Sequence, residues 1–281
     1  MWREGHRSGN PINHELVSEY LAGYERYAFD ELDYSKTRVV PVTQEVHYRL
    51  IESLRAKADE ADDAWEVATL LRDACAFAFL WETGHRGNEC VKLRTTDFTY
   101  ENTECTECWP DIVSKQLNAQ WRVVVECSGG AKMRKTRHPG NLVLERVTAE
   151  DPRVGLTLLD LLPVYADSMA AIGLVLDGEI FMARRGRAHS FKTMAYNSAA
   201  LGRRLVWHLR REGVWIGQTL HGIRRGSAQE AHHRQGQPLD EIARKRLWRD
   251  PESVEDYVHT TRHRERLVKP KEEEASGSGR R

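Results

Sequence analysis

The sequence has little cysteine, no long apolar run and no excess of charge of either sign. Its five cysteines among 281 residues are an odd number scattered along the chain, which argues against a secreted disulfide framework and for a reducing compartment. Apolar stretches such as residues 74 to 81 are far shorter than the roughly 20 residues that span a bilayer. The N-terminus lacks the apolar region of a signal peptide. We therefore expect an intracellular protein, nuclear or cytoplasmic, that does not associate with membranes.

The balanced charge gives no general support for nucleic-acid binding, because Lys and Arg number 42 and Asp and Glu also number 42. One segment departs from this balance: residues 183 to 213 contain eight basic residues and one acidic residue, a net charge of +7. The basic residues that we consider for DNA binding are Arg184, Arg185, Arg187, Arg203 and Arg204. Such a segment can follow a phosphate backbone, but it is equally typical of a solvated helix face.

Periodicity predicts a mostly helical chain with a small antiparallel sheet in its middle. An amphipathic helix is expected at residues 12 to 30, and an extended segment at 36 to 42 precedes a helix that Thr43 can cap. A strongly apolar helix at residues 64 to 83 ends at Gly84. Strands are predicted at 93 to 99, 121 to 127 and 142 to 147, and helices at 155 to 171, 195 to 212, 220 to 235, 239 to 247 and 251 to 267.

His221 and Arg224 lie three residues apart at the start of a predicted helix and therefore project from one face. The same spacing occurs three more times in the chain, so the pair has no weight by itself. Its setting distinguishes it: a turn at Gly236 and a second helix follow, then Trp248, and Tyr257 comes nine residues after Trp248.

A second group of residues lies upstream, where an apolar helix leads into Thr-Gly, Arg86 and, three residues later, Glu89. Between the two groups, Lys132 and Lys135 lie in the connection between two predicted strands. This order resembles the catalytic core of the tyrosine recombinase (phage integrase) family over residues 36 to 267. Trp248 and the Arg-Arg-Gly after the His-x-x-Arg motif are also similar to eukaryotic mobile-element enzymes of the Crypton and DIRS-like groups.

The resemblance implies that the chain cuts and rejoins double-stranded DNA through a 3′-phosphotyrosyl intermediate. The implied catalytic residues are Tyr257 as nucleophile, Arg86, Arg224, His221 and Trp248 around the phosphate, and Lys135 as general acid. Lys132 is the alternative general acid and a candidate for DNA contact. The resemblance further implies a homo-oligomer, a tetramer, on DNA, and neither a metal nor another cofactor.

The chemistry agrees with these residue types. Attack on a phosphodiester builds negative charge on its non-bridging oxygens, which fixed donors must stabilise. Guanidinium groups such as those of Arg86 and Arg224 remain charged and bind two oxygens in a fork. The indole N–H of Trp248 and the imidazole of His221 are further donors. A tyrosine has a pKa near 10, and surrounding positive charge favours its phenolate.

The resemblance also implies that the chain consists of three segments. Residues 1 to 35 are expected to be an N-terminal helical remnant or linker, residues 36 to 267 the catalytic domain, and residues 268 to 281 a disordered tail. The first segment is too short for the helical domain that family members usually carry, which suggests a fragment, a mobile-element remnant or another mode of site recruitment.

Three alternatives stay open. The chain could be a DNA-binding remnant that no longer cuts, or a type IB topoisomerase-like enzyme, which relaxes supercoiled plasmid as a monomer. Cys105 and Cys108 have the spacing of two zinc ligands, but no second pair is present in the sequence. Any zinc site would need Cys127 and His138, so no metal is predicted.

Overall fold

The computed structural model describes residues 39 to 100, 109 to 113, 122 to 125, 142 to 145, 147, 150 to 184 and 191 to 258. All of them belong to the second of two compact units, Met1–Arg38 and Val39–Arg281, into which the chain divides. They form a mostly helical α+β fold with a small antiparallel sheet, which confirms the predicted fold class.

The helices of the described residues, in chain order, are α1 (Gln44–Glu60), α2 (Ala64–Thr83), α3 (Gly87–Cys90), α4 (Trp109–Val113), α5 (Leu158–Ala171), α6 (Ser198–Arg211), α7 (Leu220–Gln229), α8 (Leu239–Lys245) and α9 (Pro251–Val258). A π-helical turn, Glu230–Arg234, continues α7. The strands are β1 (Phe98–Tyr100), β2 (Arg122–Val125), β3 (Leu142–Glu145), β4 (Met182–Arg184) and β5 (Phe191–Ala195). The helix predicted at residues 12 to 30 lies outside the described residues.

Helix α2 runs through the centre of the core, within the bounds that the sequence predicts. The Asp63 carboxylate accepts a hydrogen bond from the Trp65 N–H at 3.0 Å and caps its first turn. Gly84 ends it in the left-handed conformation, with φ of 61°. From Ala68 onwards its apolar residues are buried on every side, and the helix packs against α1, α5 and α7. Such a helix is typical of a domain interior.

The sheet has the order β1-β2-β3, with both pairs antiparallel. The prediction of a strand at 93 to 99 is wrong before Phe98, where β1 begins. The Arg94 N–H donates to the Asp97 carboxylate at 2.9 Å and closes a 3₁₀ turn over Thr95–Asp97. Strands β4 and β5 form a separate antiparallel hairpin that the sequence did not predict. Consequently α6 begins at Ser198, after the cap Asn197, and not at residue 195.

A second, smaller apolar cluster lies between α7, the π-helical turn, α8 and α9. Its buried members are Ala228, Ala231, Ile242, Ala243, Trp248, Val254 and Val258. Asp250 accepts a hydrogen bond from the Ser253 N–H at 2.7 Å and starts α9, which Pro251 opens as the sequence predicts. The predicted continuation of this helix beyond Val258 lies outside the described residues. Tyr257 packs against this cluster, so the cluster brings α9 to α7.

Candidate active site

Arg86 is held where α2 ends and α3 begins. Gly84 turns the chain, and Arg86 is then the residue before the first turn of α3. The Arg86 N–H donates to Glu89 Oε2 at 3.0 Å, and Arg86 Nη1 lies 3.5 Å from Glu89 Oε1. The Glu89 side chain is 3% exposed and that of Arg86 is 50% exposed. A buried carboxylate therefore orients a guanidinium that remains open to a ligand.

Arg224 lies on α7 and is almost completely buried, at 5% exposure. Its Nη1 donates to the backbone oxygen of Gly84, so α7 is tied directly to the turn that precedes Arg86. Its Cζ lies 3.6 Å from the ring centroid of Trp248 and 5.2 Å from that of Tyr257. Burial, together with the charge of Arg86, lowers the pKa of Arg224 to about 10, although Tyr257 and Glu89 act in the opposite direction.

Trp248 follows a strained residue. Leu247 has φ of 52°, which for a bulky side chain typically costs about 1 to 3 kcal/mol. The Trp248 ring is 2% exposed and meets the Tyr257 ring edge to face, with 4.8 Å between centroids and 68° between planes. Its Nε1 is buried without a hydrogen-bond partner among the described residues. One N–H donor is thus available beside the tyrosine.

Tyr257 is partly buried on α9, and its ring centroid is 6.4 Å from that of His221. The Gln229 side-chain amide donates to the Tyr257 backbone oxygen at 3.2 Å and links α9 to α7. Burial, together with the charges of Arg224 and Arg86, lowers the pKa of His221 below its usual value. The imidazole is therefore mostly neutral at pH 7.

A pocket with an empty volume of about 320 Å³ lies between the Gly84 turn, α7 and the segment around Trp248. Its lining residues are His85, Arg86, Glu89, Arg224, Arg246, Leu247, Trp248, Arg249 and Ser253. Three residues that the sequence analysis selected, Arg86, Arg224 and Trp248, line it together, although 138 positions separate the two arginines. Tyr257 and His221 adjoin it through their ring contacts and do not line it.

His85, Arg246 and Arg249 also line this pocket, and they are not among the site residues predicted from the sequence. A signal for two of them is present in the sequence, because Arg246 and Arg249 flank Leu247 and Trp248. A basic residue on each side of a candidate phosphate-binding tryptophan is a reason to include both in the site.

The predicted lysines cannot be placed. Lys132 and Lys135 lie outside the described residues, as do Arg185, Arg187 and Cys105 with Cys108. The strands on either side of the lysine segment, β2 and β3, are antiparallel neighbours. For Arg184 only the backbone, in β4, is described. The roles of these residues stay predictions.

The two remaining basic candidates, Arg203 and Arg204 on α6, differ in their surroundings. Arg203 is exposed, whereas Arg204 Nε lies 2.6 Å from the buried carboxylate of Asp73. Arg72 and His208 also bond to Asp73, at 2.7 and 3.2 Å. Although burial acts to raise it, these neighbours, Arg72 above all, hold the pKa of Asp73 below its usual range. Part of the positive charge of the basic segment is therefore balanced inside the fold.

Two further features are absent from the described residues, a cluster of metal ligands and a membrane-spanning helix. They contain no group of three or more His, Cys, Asp or Glu side chains that could hold a metal ion. Within the same ranges, no helix has the length and the apolar character needed to cross a membrane.

Comparison with known proteins gave similarity at the level of structure. No protein-family model and no curated protein matches the chain. The crystal structure of XerH site-specific recombinase bound to difH substrate, a pre-cleavage complex, is 15% identical, with 91% of this chain and 65% of that chain covered and a TM-score of 0.48. The post-cleavage complex of XerH with palindromic difH is 14% identical, with 81% and 52% covered and a TM-score of 0.48.

A lambda integrase dimer bound to a COC' core site is 15% identical, with 87% of this chain and 58% of that chain covered and a TM-score of 0.46. These structural neighbours are tyrosine recombinases, each at most 15% identical to this chain and with a TM-score below 0.5. This chain spans 52 to 65% of the length of the three.

Proposed function

We propose that the chain breaks and rejoins DNA strands, with Tyr257 as the nucleophile that forms a 3′-phosphotyrosyl intermediate. The observation that carries the proposal is one contact group: the Arg224 guanidinium stacks on Trp248 at 3.6 Å and lies 5.2 Å from the Tyr257 ring. Arg86 lines the same pocket as Arg224 and Trp248. A candidate nucleophile is thus adjacent to several donors for an anion.

In the proposed reaction, Tyr257 Oη attacks phosphorus and the bond from phosphorus to the 5′-oxygen breaks. Arg86 and Arg224 stabilise the charge that develops on the non-bridging oxygens, and the Trp248 indole donates one more hydrogen bond. The neutral imidazole of His221 is an acceptor for the phenol proton. The leaving 5′-oxygen takes a proton from Lys135, with Lys132 as the alternative.

Rejoining reverses these steps, since a 5′-hydroxyl attacks the phosphotyrosine and restores the phosphodiester. The chemistry uses no metal or nucleotide, because the covalent intermediate conserves the energy of the broken bond. The proposed partner is double-stranded DNA, on which the chain acts as a homo-oligomer of four copies in the nucleus or cytoplasm. The residues proposed to contact its backbone are Lys132, Arg184, Arg185, Arg187, Arg203 and Arg204.

The test is trapping on nicked DNA. The full chain is incubated with a duplex library of randomised sequence, nicked so that the 5′-hydroxyl fragment diffuses away after cleavage. We expect adducts that survive denaturing electrophoresis for the wild type and none for Tyr257→Phe, which lacks the attacking oxygen. Sequencing of the trapped DNA then identifies the preferred site.

Tyr48→Phe is the matched control, because the Tyr48 hydroxyl accepts a hydrogen bond from Gln44 at 2.8 Å within α1 and is not part of the pocket. This variant should form adducts as the wild type does. Adducts that persist in Tyr257→Phe would contradict the assignment of the nucleophile.

A further inference from the structure

The Arg246 side chain lines the pocket and is partly buried, whereas arginine side chains are mostly exposed. It follows the last turn of α8, where its N–H donates to the Ile242 oxygen at 3.1 Å. Its side chain is partly buried and extends to α7, where Nη1 donates to the Ser227 hydroxyl. The Ser227 hydroxyl in turn donates to the backbone oxygen of Trp81. The Arg246 guanidinium is therefore held in place by a neutral group of the core.

The turn at Gly84 brings Arg246 close to the other donors of the pocket. A Cβ atom at Gly84 would lie 3.2 Å from Arg246 Cδ, 3.3 Å from Arg246 Nη1 and 3.4 Å from Trp248 Nε1. Arg224 donates to the oxygen of the same glycine. One glycine is thus surrounded by two guanidinium groups and the indole N–H that has no partner.

The four arginines that line the pocket differ in how their charge is balanced. Arg86 is paired with Glu89, and Arg249 is paired with Asp250. Within the described part of the chain, neither Arg224 nor Arg246 has a carboxylate within 4.0 Å. Burial, together with the charge of Arg224, lowers the pKa of Arg246 to about 10. Of these two neighbouring guanidinium groups, that of Arg224 is buried and that of Arg246 partly buried, and the lack of a directly paired carboxylate is unfavourable because desolvated charge needs a partner.

We propose that Arg246 is a further phosphate-binding residue, a guanidinium that contacts a non-bridging oxygen of the scissile phosphodiester alongside Arg86 and Arg224. The inference rests on the proposed function, because the ligand is the phosphate of that reaction. The phosphate supplies the negative charge that the arginine pair lacks. Charge that grows on the phosphate in the transition state strengthens the contact.

The test measures anion binding without DNA. Full-length wild type, Arg246→Met, Arg246→Lys and Arg244→Met are melted with increasing inorganic phosphate at constant ionic strength. Arg244 is the matched control, because it lies in the last turn of α8, two residues before Arg246, is exposed and does not line the pocket. We expect phosphate to raise the Tm of wild type and Arg244→Met equally. Arg246→Met should bind phosphate at least about tenfold more weakly, and Arg246→Lys, which keeps the charge but not the fork, should be intermediate.

The phosphate-free samples separate ligand binding from a structural role. Arg246→Met removes a charge that has no paired carboxylate but also loses the hydrogen bond to Ser227, so we expect it to be about as stable as the wild type. A lower Tm without phosphate would instead identify Arg246 as a structural support and overturn the inference. Unchanged phosphate affinity in Arg246→Met, or no response of the wild type, would overturn it as well. None of these results depends on DNA cleavage, so failure here is distinct from failure of the proposed function.

Discussion

At the scale of single residues, the pocket contains polar atoms that the fold itself leaves without partners. Trp248 Nε1 and Arg224 Nε are buried and have no hydrogen-bond partner among the described residues. Each such atom typically costs about 1 to 3 kcal/mol of folding free energy. Both belong to the group around Tyr257. A ligand with several acceptor oxygens would accept hydrogen bonds from both atoms and offset this loss of folding free energy.

Trp248→Phe tests the indole donor, because it keeps an aromatic ring against Tyr257 and removes the N–H. We expect adduct formation on nicked DNA to slow by roughly 10² to 10³, the usual effect of losing one transition-state donor. Trp248→His, which restores an N–H, should recover part of that loss. Trp109→Phe is the control, since the Trp109 indole already donates to the Leu176 oxygen at 3.1 Å and lies outside the pocket. Wild-type rates for Trp248→Phe would exclude a role for the indole.

At the scale of elements, α7 is positioned by its close packing against the extended segment before α1. The Val42 N–H donates to the Gly222 oxygen at 2.9 Å. A Cβ at Gly222 would lie 2.4 Å from the Val40 oxygen, and one at Gly226 would lie 1.6 Å from the Val42 oxygen. Because α7 carries Arg224, these two glycines determine how deeply the arginine enters the pocket.

Gly226→Ala should therefore displace α7 from this segment. Overpacking against backbone typically costs about 1 to 3 kcal/mol, so we expect a lower urea midpoint together with loss of adduct formation. Gly202→Ala in α6 is the comparison, because its Cβ would meet only Leu220 side-chain atoms at 3.7 Å. That variant should gain roughly 0.5 to 1 kcal/mol, the usual difference between Ala and Gly inside a helix. Equal stability of Gly226→Ala and wild type would refute this account of α7.

At the scale of the whole molecule, one carboxyl joins two core helices and makes stability depend on pH. Glu82 near the end of α2 accepts a hydrogen bond from the Leu158 N–H at the start of α5, at 2.6 Å. Burial raises the pKa of Glu82 to about 7, although this hydrogen bond acts to lower it. The unfolded chain should have a value near the usual 4.3 for Glu. Between about pH 4.3 and pH 7, the Glu82 carboxyl is therefore mostly protonated in the folded chain and mostly ionised in the unfolded chain.

The contribution of Glu82 to stability is therefore present below about pH 4.3 and is lost as the pH rises towards 7. Glu82→Gln keeps an oxygen for the Leu158 N–H and cannot ionise. We expect the free energy of unfolding of this variant, relative to wild type, to increase from pH 5 to pH 7.5 in urea titrations. Glu52→Gln, at an exposed position of α1, should show no such increase. A pH-independent difference for Glu82→Gln would show that Glu82 does not titrate in this range.

The sequence by itself determined the features that depend on neighbouring residues. The helix from Ala64 to Thr83, its end at Gly84 and the opening of α9 at Pro251 follow from capping and periodicity, which are local properties. Arg86, Arg224 and Trp248, which were selected because their order resembles that of a known family, line one pocket.

Only the tertiary structure decided which charges are balanced and which are left for a ligand. No local pattern shows that Arg204 on α6 faces Asp73 on α2, or that Arg246 extends past α8 to Ser227. Both contacts join segments that are distant in sequence, so they cannot be predicted from the net charge of any stretch of the chain. The free energy of a charge depends on its burial and its partners, which exist only once the core has packed.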